Sequence, residues 1–144
     1  MKGGIPLTTT IVYWSGTGNT EEMSVLIEEG LKEKGATVNR GYVGEIDDDT
    51  VLNSDLIVLG CPSMGDEILE ESEFEPWMSD MEARLGGKKV ALFGSYDWGD
   101  GQWMRDWQER LEDALADVVA THICHLTPEG ESADACKAFG QSLA

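Results

Sequence analysis

Basic residues are scarce in this sequence. Its 144 residues include 10 lysines and arginines against 28 aspartates and glutamates, which gives a formal net charge of -18 at pH 7. Proteins bind nucleic acids and anionic membrane surfaces mainly through lysine and arginine, so neither is expected as a partner. A strongly negative surface instead favours protein partners with basic surfaces, because long-range attraction steers their encounters.

Cysteines and long apolar runs are also scarce. The three cysteines, Cys61, Cys124 and Cys136, form no C-x-x-C pair, which disfavours a zinc or iron–sulfur site. Their odd number indicates reduced thiols and hence a cytoplasmic location. No apolar run approaches the roughly 20 residues of a membrane span, and the opening "MKGGIPL" is too short and polar for a signal peptide. We therefore predict a flexible lead-in over residues 1–7 and a single domain over residues 8–144.

Segments typical of strands alternate with segments of helical periodicity along the rest of the chain. The predicted strands cover residues 8–14, 36–43, 55–61, 88–94 and 118–126, and the predicted helices cover residues 19–34, 74–85, 102–117 and 132–143. Such alternation predicts a doubly wound α/β fold, a three-layer sandwich around a five-stranded parallel sheet. Five strands favour the order 2-1-3-4-5, in which ligands bind at the carboxyl ends of the strands beside the switch point.

The helices and the strand predicted after residue 101 are expected to serve packing rather than chemistry. The apolar residues predicted to face the sheet are Trp103, Trp107, Leu111 and Leu115 in one helix and Ala135, Cys136, Phe139 and Leu143 in the next. His122 and His125 lie in the predicted last strand, where we expect them to be structural or exposed and remote from the ligand site. The loops at that site supply no serine or cysteine paired with a histidine for nucleophilic catalysis.

The loop after the first predicted strand, "SGTGNT" at residues 15–20, opens a helix. Backbone N–H groups at a helix N-terminus have no intrahelical partner, and the helix dipole adds partial positive charge. Hydroxyl side chains and two glycines complete a cradle suited to phosphate without any charged side chain. The loop lacks the lysine of a nucleoside-triphosphate loop, and Glu21 replaces the last glycine of the dinucleotide pattern. One terminal phosphate therefore fits best, with an ordinary capped turn as the alternative.

Two further loops follow the third and fourth predicted strands at the same edge of the sheet. "PSMGDEILEE" contains Met64, and "SYDWGDG" contains Trp98 between Asp97 and Gly99. A thioether and an indole pack well against flat rings, so Met64 and Trp98 are predicted to sandwich a planar ligand. The alternative for each side chain is packing over the end of the sheet. A phosphate cradle beside a sandwiched ring indicates flavin mononucleotide, FMN.

Three segments in this order carry a family resemblance: "TIVYWSGTGNTEEM", "LIVLGCPSMGDEILEESEFEPW" and "KKVALFGSYDWGDGQWMRDW". They resemble the flavodoxins, specifically the short-chain clostridial type, and the resemblance spans about residues 9–143. It implies a flavodoxin-like fold and a low-potential carrier, not an enzyme, that shuttles single electrons between redox enzymes on non-covalently bound FMN. It further implies a stabilised neutral semiquinone and an anionic hydroquinone, and a monomer is expected because it suits a shuttle.

The resemblance also implies which residues bind FMN. They are Ser15, Gly16, Thr17, Gly18, Asn19, Thr20, Pro62, Ser63, Met64, Gly65, Asp66, Glu67, Ser95, Tyr96, Asp97, Trp98 and Gly99. Residues 15–20 resemble the phosphate loop, and Met64 and Trp98 resemble the inner and outer stacking residues. Gly65 resembles the glycine whose carbonyl accepts the flavin N5–H after reduction, and Glu67 resembles the acid that accepts the N3–H.

Two positions depart from the family pattern, and the surrounding charge is strongly negative. Pro62 stands where a serine is common, which removes one hydroxyl from the phosphate side. Asp97 stands where a glycine is common, which is expected to alter the loop or add negative charge near the ring. The acids expected around the ring are Asp66, Glu67, Glu70, Glu71, Asp97 and Asp100. Like charges disfavour an anionic reduced flavin, so the second reduction step is expected at low potential.

Other functions remain as alternatives. An FMN-dependent NAD(P)H quinone or nitro reductase on the same fold would need a substrate pocket over the flavin, and the short chain has no insertion to build one. A phosphoacceptor receiver domain would need acidic residues where this chain has "SGTGNT" and Cys61. A module without a cofactor is the third alternative, which a yellow preparation would exclude.

Overall fold

The computed structural model describes residues 7–144, and residues 1–6 of the predicted lead-in lie outside the described residues. Five strands form one sheet: β1 Thr8–Tyr13, β2 Thr37–Tyr42, β3 Leu56–Gly60, β4 Lys89–Tyr96 and β5 Asp117–His125. Their order is β2-β1-β3-β4-β5 and every neighbouring pair is parallel, so the predicted topology is confirmed.

Helices cover both faces of the sheet. They are α1 Asn19–Glu33, α2 Asp48–Leu52, α3 Phe74–Glu82, α4 Gln102–Asp113 and α5 Glu131–Leu143. One apolar cluster joins the sheet to α3 and α4, and a second joins it to α1 and α5. The central strand β3 is buried along its whole length, as expected for a parallel sheet covered on both sides. None of the helices in residues 7–144 is both long and apolar enough to cross a bilayer.

Two glycines let α1 and α5 approach each other closely. A Cβ atom added at Gly30 would lie 2.1 Å from the carbonyl oxygen of Lys137, and one added at Gly140 would lie 2.2 Å from that of Ile27. Glycine is unfavourable inside a helix, but any larger residue here would force the two backbones apart. The helix that opens at the predicted phosphate loop is thereby held by direct backbone packing.

Three expectations about element ends are wrong. Helix α4 ends at Asp113, and Leu115 is 77% exposed with a φ of +72° instead of facing the sheet, because the chain turns there to enter β5. Ala135 is exposed because the buried face of α5 begins one residue later, at Cys136. Strand β4 continues through Ser95 and Tyr96, since both pair with β5.

Candidate functional site

The three predicted loops meet at the carboxyl ends of β1, β3 and β4, around a cavity of about 200 Å³. The residues that line it are Trp14, Gly16, Thr17, Asn19, Pro62, Ser63, Met64, Ser95, Tyr96, Asp97 and Leu126. Nine of them belong to the residues predicted to bind FMN. Among residues 7–144, no lysine or arginine lines it, so an anion in this cavity would be held by hydroxyl and amide dipoles.

The loop at residues 15–20 is organised around the Ser15 hydroxyl. Gly18 precedes α1 in a left-handed conformation with a φ of +101°, which glycine adopts easily. The Ser15 Oγ accepts hydrogen bonds from the backbone N–H groups of Gly18, at 3.2 Å, and Glu21, at 3.1 Å. The hydroxyl hydrogen takes part in neither bond, but Ser15 does not line the cavity, so its donation to a ligand stays a prediction. The loop therefore presents donors and the positive end of the α1 dipole, as an anion site requires.

Thr20 and Ser95 tie this loop to β4. Both side chains are buried, their hydroxyl oxygens lie 2.9 Å apart, and the Ser95 backbone N–H donates to Thr20 Oγ1 at 3.3 Å. Ser95 lines the cavity, whereas Thr20 does not. A direct contact between Thr20 and phosphate stays a prediction.

Trp14 is a site residue that the sequence reasoning missed. Its indole lines the cavity and supports the loop, because a Cβ added at Gly16 would lie 2.9 Å from Trp14 Cη2. Trp14 Nε1 donates to Glu73 Oε1 at 2.9 Å, and the Tyr42 hydroxyl donates to the same oxygen at 3.1 Å. Burial, followed by the Glu73 carboxylate, raises the pKa of Tyr42 to about 12. The sequence signal that could have identified Trp14 is its position as an aromatic residue directly before the loop.

The loop after β3 contains a tight turn. The Met64 N–H donates to the Ile68 carbonyl at 2.9 Å, and the Ile68 N–H donates back at 3.0 Å, which closes a turn over residues 65–67. Gly65 and Glu67 within it have φ values of +46° and +58°. Met64 is half-buried and lines the cavity, and its contact with the ring stays a prediction.

Glu67 links this turn to the loop after β4. Its Oε1 accepts a hydrogen bond from the Gln102 N–H at 3.0 Å, at the N-terminus of α4. A Cβ added at Gly99 would lie 2.6 Å from the Glu67 carboxyl carbon. Glycine at position 99, with a φ of +92°, therefore gives this carboxylate room between the two loops.

The loop after β4 differs from expectation in two ways. Trp98 is 57% exposed and does not line the cavity, so its stacking role stays a prediction. Asp97 does line the cavity, and it is not among the non-glycine residues in residues 7–144 with positive φ. An aspartate therefore fits in place of glycine without left-handed backbone strain.

The two histidines have different positions. The expectation that His125 is remote from the site is wrong: its Nε2 lies 2.9 Å from the Asp97 carbonyl oxygen. Strand β5 runs beside β4 to its end, which brings His125 to the ligand edge of the sheet. His122 instead stacks on Phe139 of α5, with ring centroids 5.1 Å apart, and serves packing as expected.

The expected ring of acids is smaller than predicted. Glu70 is 6% exposed, and its carboxylate accepts backbone N–H groups at the start of α3 instead of facing the cavity. Asp100 is paired with Arg105, whose Nη2 lies 2.9 Å from Asp100 Oδ1. Asp97 lines the cavity and Asp66 lies in the turn after Met64, and both are exposed, so the rim keeps part of its expected negative character. Glu71 is also exposed.

The residues present fit FMN. The α1 end of the cavity offers hydroxyl and amide donors for a phosphate. The same cavity is also lined by Trp14, Met64, Tyr96 and Leu126, which suit a flat, largely apolar ring. The sequence reasoning did not find Leu126, which follows β5 and takes a φ of +60°.

Comparisons with known proteins identify the family of this chain. The chain matches the flavodoxin family over residues 11–139. It is 50% identical over 134 residues to a flavodoxin from Clostridium beijerinckii, covering 93% of this chain and 97% of that protein. It is 48% identical over 134 residues to a flavodoxin from Megasphaera elsdenii, covering 93% and 96% of the two chains. The solution structure of two-electron reduced M. elsdenii flavodoxin matches with a TM-score of 0.86 and 47% identity, over 93% of this chain and 96% of that chain.

These matches confirm the resemblance to short-chain clostridial flavodoxins and favour the electron carrier over the reductase alternative, since both relatives are flavodoxins. The natural partners of such a carrier are oxidoreductases that donate or accept its electrons. The chain therefore belongs to the flavodoxin family and is an electron-transfer protein that binds FMN.

Proposed function

We propose that this protein shuttles single electrons at low potential between redox enzymes, with FMN held in the cavity at the carboxyl edge of the sheet. The observation that carries the proposal is the joining, in one cavity, of the α1 N-terminus with an apolar wall that includes Met64 and Tyr96. FMN supplies one-electron chemistry when bound. The protein supplies its position, its shielding from water and the electrostatics around it.

The phosphate end depends on residues 15–20. Ser15 donates its hydroxyl hydrogen outward because its oxygen already accepts two amides. Thr17 and Asn19 line the same cavity and add a hydroxyl and an amide. Asn19 is held in place by the Thr127 hydroxyl, which donates to its Oδ1 at 2.9 Å. Together these groups bind a dianion without a formal positive charge.

The ring end depends on Met64 and Trp98. Met64 packs on the inner face of the ring, where it already lines the cavity. Trp98 covers the outer face, which removes its exposed indole from water and excludes water from the ring. Gly65 lies in the turn closed by Met64 and Ile68, and its lack of a side chain allows its carbonyl to turn towards a ring N–H.

The charge around the site favours a low second potential. Adding electrons brings negative charge into a cavity that Asp97 lines and that, in the part of the chain the structure describes, no lysine or arginine lines. The side chain of Arg105 is engaged with Asp100 and Gln102. Like charges and low dielectric both disfavour added negative charge, and exposed acids contribute less than burial because water and salt screen them.

The wider properties follow from charge and thiols. A net charge of -18 favours oxidoreductase partners with basic surfaces and brief, salt-sensitive encounters. All three cysteines are free and buried, which suits a reducing cytoplasm. A single domain over residues 8–144 that acts as a monomer suits a shuttle, because each encounter needs the ring edge exposed.

A reductive titration combined with a turnover assay tests the carrier function. We expect FMN-loaded protein to take up two electrons in two resolved steps, and to show no sustained NAD(P)H oxidation when given a quinone or a nitro compound. Turnover should appear only when an NAD(P)H-oxidising flavoprotein is added as electron donor. Sustained oxidation by this protein alone would contradict the carrier function and support the reductase alternative.

Replacing Trp98 with alanine tests the stacking role. We expect FMN to bind about 10- to 100-fold more weakly, because removal of a buried aromatic contact costs about 1.5–3 kcal/mol. Quenching of flavin fluorescence during titration of the apoprotein measures the dissociation constant. Trp98→Phe is the matched control and should retain most of the affinity. An unchanged dissociation constant in Trp98→Ala would remove Trp98 from the site.

A further inference from the structure

The end of β5 is attached to the loop that carries Trp98. His125 pairs with Tyr96 as the last registered pair between β5 and β4. Beyond that pair the Leu126 N–H donates to the Tyr96 carbonyl at 2.9 Å. His125 Nε2 lies 2.9 Å from the carbonyl oxygen of Asp97, the next residue along. The chain after Asp97 leaves the sheet, so this is the last of the hydrogen bonds between the two strand ends.

The contact with the carbonyl determines which nitrogen of the His125 imidazole carries the hydrogen. A backbone carbonyl can only accept a hydrogen bond, so Nε2 must carry the hydrogen and donate it. The ring is also oriented by packing, since its centroid lies 5.2 Å from that of Tyr96. Tyr96 in turn packs on the buried Trp103 at 5.8 Å. The Nε2–H donor of His125 is therefore held by packed aromatic rings and points towards the loop.

Beyond this bond the loop is held again only towards its far end, where the Glu67 carboxylate lies against Gly99 and the Arg105 guanidinium donates to Asp100. Residues 97–100 are all exposed, and Gly99 and Gly101 have φ values of +92° and +95°. Glycines widen the range of conformations open to a loop. The position of the Asp97 carbonyl consequently determines where the loop leaves the sheet and therefore where the next residue, Trp98, is placed.

We propose that His125 is a positioning residue for the flavin, which acts by holding the Asp97 carbonyl and so orienting Asp97 and Trp98 towards the ring. The proposal rests on the proposed placement of FMN in this cavity. Nothing in it requires His125 to touch FMN or to change its charge. The imidazole already restricts the loop in the free protein. The loop therefore loses less conformational entropy when FMN binds, and this preorganisation strengthens binding.

Three variants separate hydrogen bonding from packing. His125→Phe keeps an aromatic ring against Tyr96 but removes the donor, and His125→Gln keeps an N–H donor of similar reach. His122→Phe is the matched control, because His122 lies on the same strand and packs on Phe139. Each apoprotein is titrated with FMN by fluorescence quenching, its thermal unfolding is recorded, and the midpoint potentials of both reduction steps are measured on the loaded protein.

We expect His125→Phe to bind FMN about three- to tenfold more weakly, which corresponds to loss of about one hydrogen bond. Its second reduction step should move to a less negative potential, because a looser Trp98 loop admits water to the ring. His125→Gln should bind within about twofold of the wild type, and so should His122→Phe. All apoproteins should unfold at similar temperatures.

The inference is overturned if His125→Phe binds FMN as tightly as the wild type, or if His125→Phe and His125→Gln weaken binding equally. Nitrogen NMR of the wild-type apoprotein at alkaline pH is a test that needs no variant. Hydrogen on Nε2 of His125 supports the proposal, and hydrogen on Nδ1 overturns it. A wild type that binds no FMN would overturn the proposed placement of FMN and this inference together, whereas an unchanged His125→Phe would overturn this inference alone.

Discussion

Glu70→Ala is expected to lower the free energy of unfolding by about 3–5 kcal/mol, because it leaves one buried and two part-buried backbone N–H groups without their acceptor. In the native protein, Glu70 Oε1 accepts from the N–H groups of Glu73 and Phe74, and Oε2 accepts from that of Ser72, all at 2.8 Å. The carboxylate is 6% exposed. It therefore caps α3 from inside the fold, and water cannot replace it easily in the variant.

The loss should extend to the cofactor site. Glu70 ends the loop that contains Met64, and its own N–H donates to Cys61 Sγ at 3.4 Å. A loosened α3 would also release Glu73, which holds the indole of Trp14. We therefore expect weaker FMN binding in Glu70→Ala, although Glu70 lies outside the cavity lining.

The stabilisation by Glu70 depends on pH in a defined direction. Burial acts to raise the pKa of Glu70, but the hydrogen bonds from the amides of Phe74, Glu73 and Ser72 outweigh it and hold the pKa below the ordinary 4.5. A carboxylate with a lowered folded-state pKa stabilises the protein fully above its unfolded-state pKa and loses that effect as pH falls through the folded-state value. The difference between wild type and Glu70→Ala should therefore be largest near neutral pH and shrink below pH 4.5.

Urea unfolding of the apoproteins across this pH range measures the effect. Glu71→Ala is the matched control, because Glu71 is adjacent but exposed, and it should change stability by less than about 0.5 kcal/mol. Glu70→Gln keeps one acceptor oxygen and should lose about 1–3 kcal/mol. Equal stabilities for Glu70→Ala and Glu71→Ala at neutral pH would show that the cap contributes nothing.

Local pattern was sufficient to predict most of the fold. Continuous apolar runs such as 55–61 mark strands covered on both faces, and alternation with helices leaves few topologies. The errors lie at element ends. Leu115 continues the apolar spacing of α4 but adopts a φ of +72° after the helix has ended. A leucine gives no local sign of a left-handed conformation, so tertiary packing decides that end.

The sequence predicts the candidate site best where a single loop contains all the groups that its role requires. The loop at residues 15–20 is recognisable because glycines, hydroxyls and a helix start coincide. Trp14 and His125 were missed or misplaced because their roles depend on contacts with distant parts of the chain. Trp14 donates to Glu73, 59 residues later, and His125 contacts Asp97, 28 residues earlier. Glu70 lies in an acidic loop, so the sequence led us to expect it around the flavin ring. Only its burial identifies it as a helix cap.

Riboflavin is expected to bind at least about 100-fold more weakly than FMN, because it lacks the phosphate. Hydrogen bonds to a charged group contribute about 1.5–3 kcal/mol each, and the loop at residues 15–20 offers several. A loss of two such bonds already exceeds the roughly 2.7 kcal/mol that corresponds to 100-fold. The ring contacts of Met64 and Trp98 are the same for both ligands, so the comparison isolates the phosphate end.

The central claim is that uncharged amides and hydroxyls at the start of α1 hold the phosphate of FMN. The direct measurement is a parallel titration of the apoprotein with FMN and with riboflavin, in which quenching of flavin fluorescence reports binding. Tight binding of FMN and binding of riboflavin weaker by about 100-fold or more would agree with the account. Equal dissociation constants for the two ligands would contradict it, because the loop would then contribute nothing to binding.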